Sequence, residues 1–207
     1  MTDLSHIDAV MERSPIIPVI VIHDVSQARS VAEALVGGGL STLEVTLRTP
    51  CALEAISEMR KVEGALVGAG TVLNPRQMQE AIKAGSQFIV SPGLTMPLAE
   101  AARNHNIPFL PGIANASDIM RGLDMGLRRF KFFPAVTNGG IPALKGLESV
   151  FGSEGVRFCP TGGITEQNYR DWLALESVAC VGGSWLTGGD ATAEIVAGRA
   201  AALNLRK

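Results

Sequence analysis

The stretch "ALVGAGTVLNPRQMQEAIKAGSQFIVS", residues 65–91, contains one complete unit of the pattern that organises this chain. A short apolar run ends in small residues at Gly70, and after a polar turn Asn74-Pro75 opens a helical stretch. The asparagine side chain suits a helix cap, and proline's missing N–H is no loss at the first helical position. Gly85, following "QMQEAIKA", supplies the stop, and a second apolar run, "QFIVS", begins at Gln87. Apolar run, helix, apolar run reads as two parallel strands joined by a crossover helix.

Outward from this unit the same alternation recurs in both directions. The runs "IIPVIVI", "TLEVTL", "ALVGAG", "QFIVS", "IPFLPG", "RFKFFP", "VRFCPTG" and "VACVGG" start at 16, 42, 65, 87, 107, 129, 156 and 178. Thr49-Pro50 repeats the capping signal of Asn74-Pro75 and predicts another helix start there. Ahead of the first run, Leu4, Ile7, Val10 and Met11 share one face of a short N-terminal helix. Eight alternating units with right-handed crossovers leave two main α/β solutions, a closed (β/α)8 TIM barrel or an open doubly wound sheet. The count favours the barrel, formed as a single domain over residues 1–207. It would be a compact one, since about 250 residues is typical.

The composition narrows the partners. With a formal net charge of -2 and no run of lysines or arginines, the chain shows no electrostatic footprint for nucleic acid or a membrane surface. No apolar run reaches transmembrane length, and "MTDLSHIDAVMERSP" lacks the apolar core of a signal peptide, so a cytoplasmic protein is expected. Cys51, Cys159 and Cys180 are an odd number at wide spacings, and His6, His23 and His105 are scattered. Neither set resembles a disulfide framework or a metal site, so chemistry without a metal or cofactor on a small molecule is expected.

A barrel holds its active site at the C-terminal ends of its strands. In "TLEVTLRTP" the period of two places Glu44, Thr46 and Arg48 on one face, and Val45 and Leu47 on the other, against the helices. In "RFKFFP" it places Lys131 and Phe133 inward, between outward Phe130 and Phe132. Desolvation frees an amine to attack a ketone or aldehyde, whereas a nearby carboxylate stabilises the ammonium ion. A purely structural Lys131–Glu44 or Glu44–Arg48 pair is therefore the alternative. Thr71, after "GAG", can share a ligand carboxylate with Arg48, whose planar fork suits that geometry. The last two runs end in the Gly-rich turns "CPTGGIT" and "VGGSWL", where barrel enzymes commonly hold phosphate. "SPGLT" (91–95) and "PGIANASD" (111–118) complete the rim.

Taken together, "LEVTLRTP", "GAGTVLNP", "SPG", "KFFPA", "CPTGGI" and "GGSW", in this order, resemble the 2-keto-3-deoxy-6-phosphogluconate (KDPG) aldolase family. Its members often also cleave 4-hydroxy-2-oxoglutarate. The resemblance implies a carbon–carbon lyase of the Entner–Doudoroff route in which Lys131 forms a Schiff base with the keto acid and Glu44 transfers protons. It implies Arg48 and Thr71 at the pyruvate carboxylate and Phe133 lining the pocket, with Thr161, Gly162, Gly163 and Ser184 at the substrate tail and its phosphate. A homotrimer without cofactor is the family's usual form. Ala114 and Asn115 depart from the family's frequent Ser-Thr pair, which bears on rim contacts and tail preference. The stretch from Thr187 is expected to close the fold as a helix without catalytic residues. Three alternatives stand beside this reading: an aldolase for the galacto epimer, a phosphosugar isomerase or epimerase on the same barrel, and a non-catalytic phosphate binder.

Overall fold

The computed structural model describes residues 5–189 and 191–203. Its elements run α1 (Ser5–Glu12), β1 (Ile16–Ile20), α2 (Ala28–Gly37), β2 (Thr42–Thr46), α3 (Ala52–Met59), β3 (Leu66–Gly70), α4 (Pro75–Lys83), β4 (Ile89–Val90) and α5 (Met96–Asn104). They continue with β5 (Phe109–Leu110), β6 (Gly112–Ile113), α6 (Ala116–Asp124), β7 (Arg129–Phe132), α7 (Gly140–Phe151), β8 (Arg157–Phe158), α8 (Tyr169–Leu173), β9 (Val181–Gly183) and α9 (Ala193–Ala202). The strand pairs are parallel, in the orders β5-β4-β3-β2-β1-β9 and β6-β7-β8. Parallel bridges Phe158↔Val178 and Thr161↔Gly182 join the chain around β8 to that around β9. The protein is thus an α/β fold around a curled parallel sheet.

Two local readings need correction. The run "IPFLPG" gives two short strands, because Pro111 lies between β5 and β6 and has no N–H for the ladder. Its carbonyl still accepts the Lys131 amide at 2.8 Å, so β7 stays in register beside this interrupted segment. Thr49 does not cap a helix: its hydroxyl donates to the Ile22 carbonyl at 2.6 Å, tying the ends of two neighbouring strands, and α3 begins later, at Ala52. At Asn74 the cap forms as expected, Oδ1 accepting from the Gln77 amide at 3.0 Å, and Gly85 ends α4 with φ +100°.

Alternation divides the apolar side chains into two clusters. Leu43, Val45, Val67, Ala69, Ile89, Phe130, Phe132 and Phe158 pack outward against Ala32, Leu35, Ile56, Met59 and Met78 of the helices. The opposite face of the strands contributes Ile17, Phe88, Val90, Leu110, Cys159 and Cys180 to the second cluster, which Ile7, Val10 and Met11 of α1 cover. Leu4, read onto the same face of α1, lies outside the described residues. Asp8 and Glu12 of this helix pair with Arg129 and Arg157, fixing it across the strands. Fully burying each large aliphatic side chain contributes about 1.5–3 kcal/mol, so α1 is held chiefly by its apolar face.

Candidate active site

Leu43 and Val45 turn outward, which turns Glu44 inward; Phe130 and Phe132 do the same for Lys131. The two inward side chains meet. Lys131 Nζ donates to Glu44 Oε1 at 2.9 Å and to Oε2 at 3.1 Å, with Lys131 5% and Glu44 3% exposed. Two such deeply buried charges persist only as partners, since removing either leaves the other without compensation. Gly70 makes room for the carboxylate, because a Cβ there would lie 2.2 Å from Oε1. The Phe133 ring, its centroid 5.6 Å from Nζ, presents an aromatic face to the amine.

Arg48 and Thr71 stand together at the mouth, as the sequence suggests. Arg48 is exposed, and its Nε donates to Thr71 Oγ1 at 3.3 Å, orienting a fork whose remaining donors suit a carboxylate. Thr71 has φ +58°, a left-handed conformation that a β-branched residue rarely adopts. Holding it there costs about 1–3 kcal/mol, strain of the kind found at functional sites. It directly follows Gly70, so one turn sets both the room for Glu44 and the partner of Arg48.

A Gly-rich rim lies across the same end of the sheet. Gly162 and Gly163 have φ +98° and +78°, and added Cβ atoms would come to 3.1 Å from Pro134 and 2.7 Å from Val136. Only glycine fits both positions, so their backbone can approach an anion without a shielding side chain. The Thr161↔Gly182 bridge sets this turn beside Gly183 and the exposed Ser184. Thr161 itself is buried, and its hydroxyl donates to the Cys159 carbonyl at 3.4 Å.

Below the lysine–glutamate pair are Cys159 and Cys180, both buried and free. A hydrogen bond with Cys159, reinforced by burial, pushes the Cys180 thiol well above its ordinary range, so it stays protonated. Among the described residues no three His, Cys, Asp or Glu side chains gather as a metal-ligand set.

The departure at Ala114-Asn115 has a local explanation. Asn115 Oδ1 accepts from the Asp118 amide at 3.1 Å, and Asp118 Oδ2 accepts from the Ala114 amide at 3.0 Å, a reciprocal cap on α6. The signal was present in "NASD", an Asx residue followed three places later by an acid. Two residues passed over in the sequence also bind rim backbone. Asn138 Nδ2 donates to the Ala114 carbonyl at 2.5 Å, and Arg199 reaches the turn after β9. Neither has a sequence signature, since both act through backbone acceptors.

Residues 7–197 match the aldolase family model described as KDPG and KHG aldolase. The chain is 58% identical over 180 residues to the 2-dehydro-3-deoxy-phosphogluconate aldolase of Zymomonas mobilis, covering 87% of this chain and 86% of that one. It is similar to the crystal structure of the 2-keto-3-deoxy-6-phosphogluconate aldolase of Zymomonas mobilis ZM4 with 3-phosphoglycerate, at a TM-score of 0.93 and 52% identity, covering 100% of this chain and 97% of that one. The KDPG aldolase from Legionella pneumophila, solved with pyruvate captured at low pH as a covalent carbinolamine intermediate, follows at TM-score 0.90 and 46% identity, covering 94% and 96%. Identity of this size over nearly the whole chain means that the protein belongs to the KDPG and KHG aldolase family.

Proposed function

We propose that this protein is a Schiff-base aldolase that cleaves 2-keto-3-deoxy-6-phosphogluconate to pyruvate and glyceraldehyde 3-phosphate. The observation that carries the reading is the buried contact of Lys131 Nζ with both oxygens of Glu44, at 2.9 and 3.1 Å. The two groups are near enough to exchange a proton.

The reaction begins when the ammonium of Lys131 passes a proton to Glu44 and its freed lone pair attacks the C2 ketone. Glu44, directly or through a water, returns that proton to the alkoxide and then carries a second proton from the nitrogen to the resulting hydroxyl, which leaves as water and gives the iminium. The carboxylate then takes the C4 hydroxyl proton while the C3–C4 bond breaks. Its electron pair enters the enamine, and the aldehyde departs. Protonation of C3 by the same residue and addition of water release pyruvate and restore the amine. Arg48 and Thr71 hold the keto-acid carboxylate, and Phe133 lines the pocket. Thr161, Gly162, Gly163 and Ser184 receive the phosphorylated tail. Because the pyruvate half is common to both substrates, 4-hydroxy-2-oxoglutarate is a second substrate, in keeping with the name of the matched family.

The same reading makes residues 1–207 one domain, its strands closed as a (β/α)8 barrel with α1 across the N-terminal end. The hydrogen bond from the Thr161 amide to the Phe132 carbonyl and that from the Gly182 amide to the Pro160 carbonyl support such closure. A cytoplasmic homotrimer is the matching cellular form.

Mixing the protein with pyruvate, reducing with borohydride and mapping the added mass tests the chemistry. A pyruvate adduct on Lys131 is expected. A folded protein that acquires none would overturn the assignment.

A further inference from the structure

The turn that follows β9 is held from behind by a single side chain on α9. Arg199 Nη1 lies within hydrogen-bonding distance of the carbonyls of Trp185 at 3.0 Å, Leu186 at 3.3 Å and Gly188 at 3.1 Å. In a trans peptide the N–H points opposite to the carbonyl, so turning these carbonyls toward Arg199 turns the N–H groups of Leu186, Thr187 and Gly189 away from it. The turn is tight: a Cβ on Gly188 would lie 2.9 Å from the Ser184 carbonyl oxygen. Its first residues are fixed by the Trp185 ring, which lies over Gly183, where a Cβ would be 1.6 Å away, and stacks on Tyr169 at 5.9 Å. The helix carrying Arg199 is itself seated closely, Ala200 packing against Gly38 so that a Cβ there would be 2.4 Å away.

We propose that Arg199 is a positioning residue for the phosphate end of the substrate, holding the 184–188 turn in the shape that lets Gly183 and Ser184 receive a phosphate. This rests on the aldolase reading above, in which Ser184 meets the phosphorylated tail. Arg199 touches neither the substrate's reacting atoms nor Lys131. Its loss therefore weakens binding of a phosphorylated keto acid and leaves the capture of unphosphorylated pyruvate intact.

The test compares wild type, Arg199→Ala and Arg199→Lys in two measurements, KM and kcat for 2-keto-3-deoxy-6-phosphogluconate and the pyruvate concentration that half-saturates borohydride trapping. Loss of charge-assisted hydrogen bonds to the turn should raise KM for the phosphorylated substrate about tenfold or more in Arg199→Ala. Half-saturation by pyruvate should stay within about twofold, because that interaction lacks the phosphate. Arg199→Lys keeps the charge and some donors and should fall between the two. If Arg199→Ala does not fold, the same ratio in Arg199→Lys decides. Equal weakening toward both ligands would mean that Arg199 is merely structural, and unchanged KM would also overturn the proposal. Wild type that forms no pyruvate adduct would instead bring down the aldolase reading, and the role of Arg199 with it.

Discussion

Strand β7 carries two cations two residues apart on the same inward face, and they are held in different ways. Arg129, toward α1, engages the Asp8 carboxylate through Nε and Nη2, while its Nη1 reaches the Arg128 and Gly155 carbonyls at 3.2 and 2.7 Å. Its partners surround the whole guanidinium, a group that does not lose its proton in proteins. Lys131 also pairs with one carboxylate, but its ammonium faces an aromatic ring where Arg129 meets backbone carbonyls. Its compact ammonium can give up a proton and become a nucleophile. The pair at Arg129 is also wetter, with side chains 16% and 24% exposed against 6% and 3% for Lys131 and Glu44. Position on the strand is therefore not what makes a buried cation reactive. Deeper burial of the pair and a cation that can titrate do.

The largest effect should come from Lys131→Met, which should lower turnover of 2-keto-3-deoxy-6-phosphogluconate by at least about 10⁴-fold, because the covalent intermediate can no longer form. It should also lower stability by about 3–5 kcal/mol, since Glu44 loses its buried partner. Adding Glu44→Gln removes that charge as well, so the double variant should recover most of the stability while staying inactive. Denaturant unfolding of both proteins checks this. Failure of the second change to restore stability would mean that the pair is not coupled as its geometry implies.

Next in size is Glu44→Gln alone, expected to slow cleavage by about 10²–10⁴-fold, the usual worth of a positioned acid–base group. Some pyruvate adduct should still form on Lys131. Full-rate cleavage would remove Glu44 from proton transfer. Asp8→Ala perturbs the contrasting pair and should act on stability instead, lowering it by about 1–3 kcal/mol as Arg129 loses its carboxylate. Turnover should stay within about twofold, because the change touches nothing on the substrate side. A kinetic defect as large as that of Glu44→Gln would erase the distinction between the two pairs.

Much of this contrast was legible in the sequence. Strict alternation in "TLEVTL" and "RFKFF" told which way Glu44 and Lys131 face, because period two leaves one choice once the apolar partners pack outward. The Gly-rich turns were visible as composition. What alternation could not give was who meets whom: Asp8 and Arg129 are 121 residues apart, and only the placement of α1 joins them. The left-handed backbone of Thr71 was equally hidden, since a β-branched residue normally avoids it and tertiary contacts must enforce it. Thr49-Pro50 misled for a related reason: a threonine hydroxyl that can cap a helix can as readily bond a neighbouring strand's carbonyl.

The smallest effect expected lies in the layer beneath the reactive pair, where Cys180 tests how closed the lower interior is. Its hydrogen bond with Cys159 and its burial push the folded-state thiol well above the range of an exposed cysteine. A group whose folded pKa is raised contributes stability that is complete below its unfolded value, about 8.5 for cysteine, and is lost as pH climbs toward the folded value. The sign is fixed: raising pH from 8 to 9.5 should lower the melting temperature, by roughly 2–4 °C for each kcal/mol lost in a chain of this size. Cys180→Ala should flatten that slope, because the group whose ionisation the fold resists is gone. In the native protein at pH 8 a thiol reagent should modify half-buried Cys51 and spare Cys159 and Cys180. Identical pH slopes for wild type and variant, or rapid modification of all three thiols, would mean that water reaches the lower layer, and the dry floor beneath Lys131 that keeps its pairing with Glu44 strong would have to be given up.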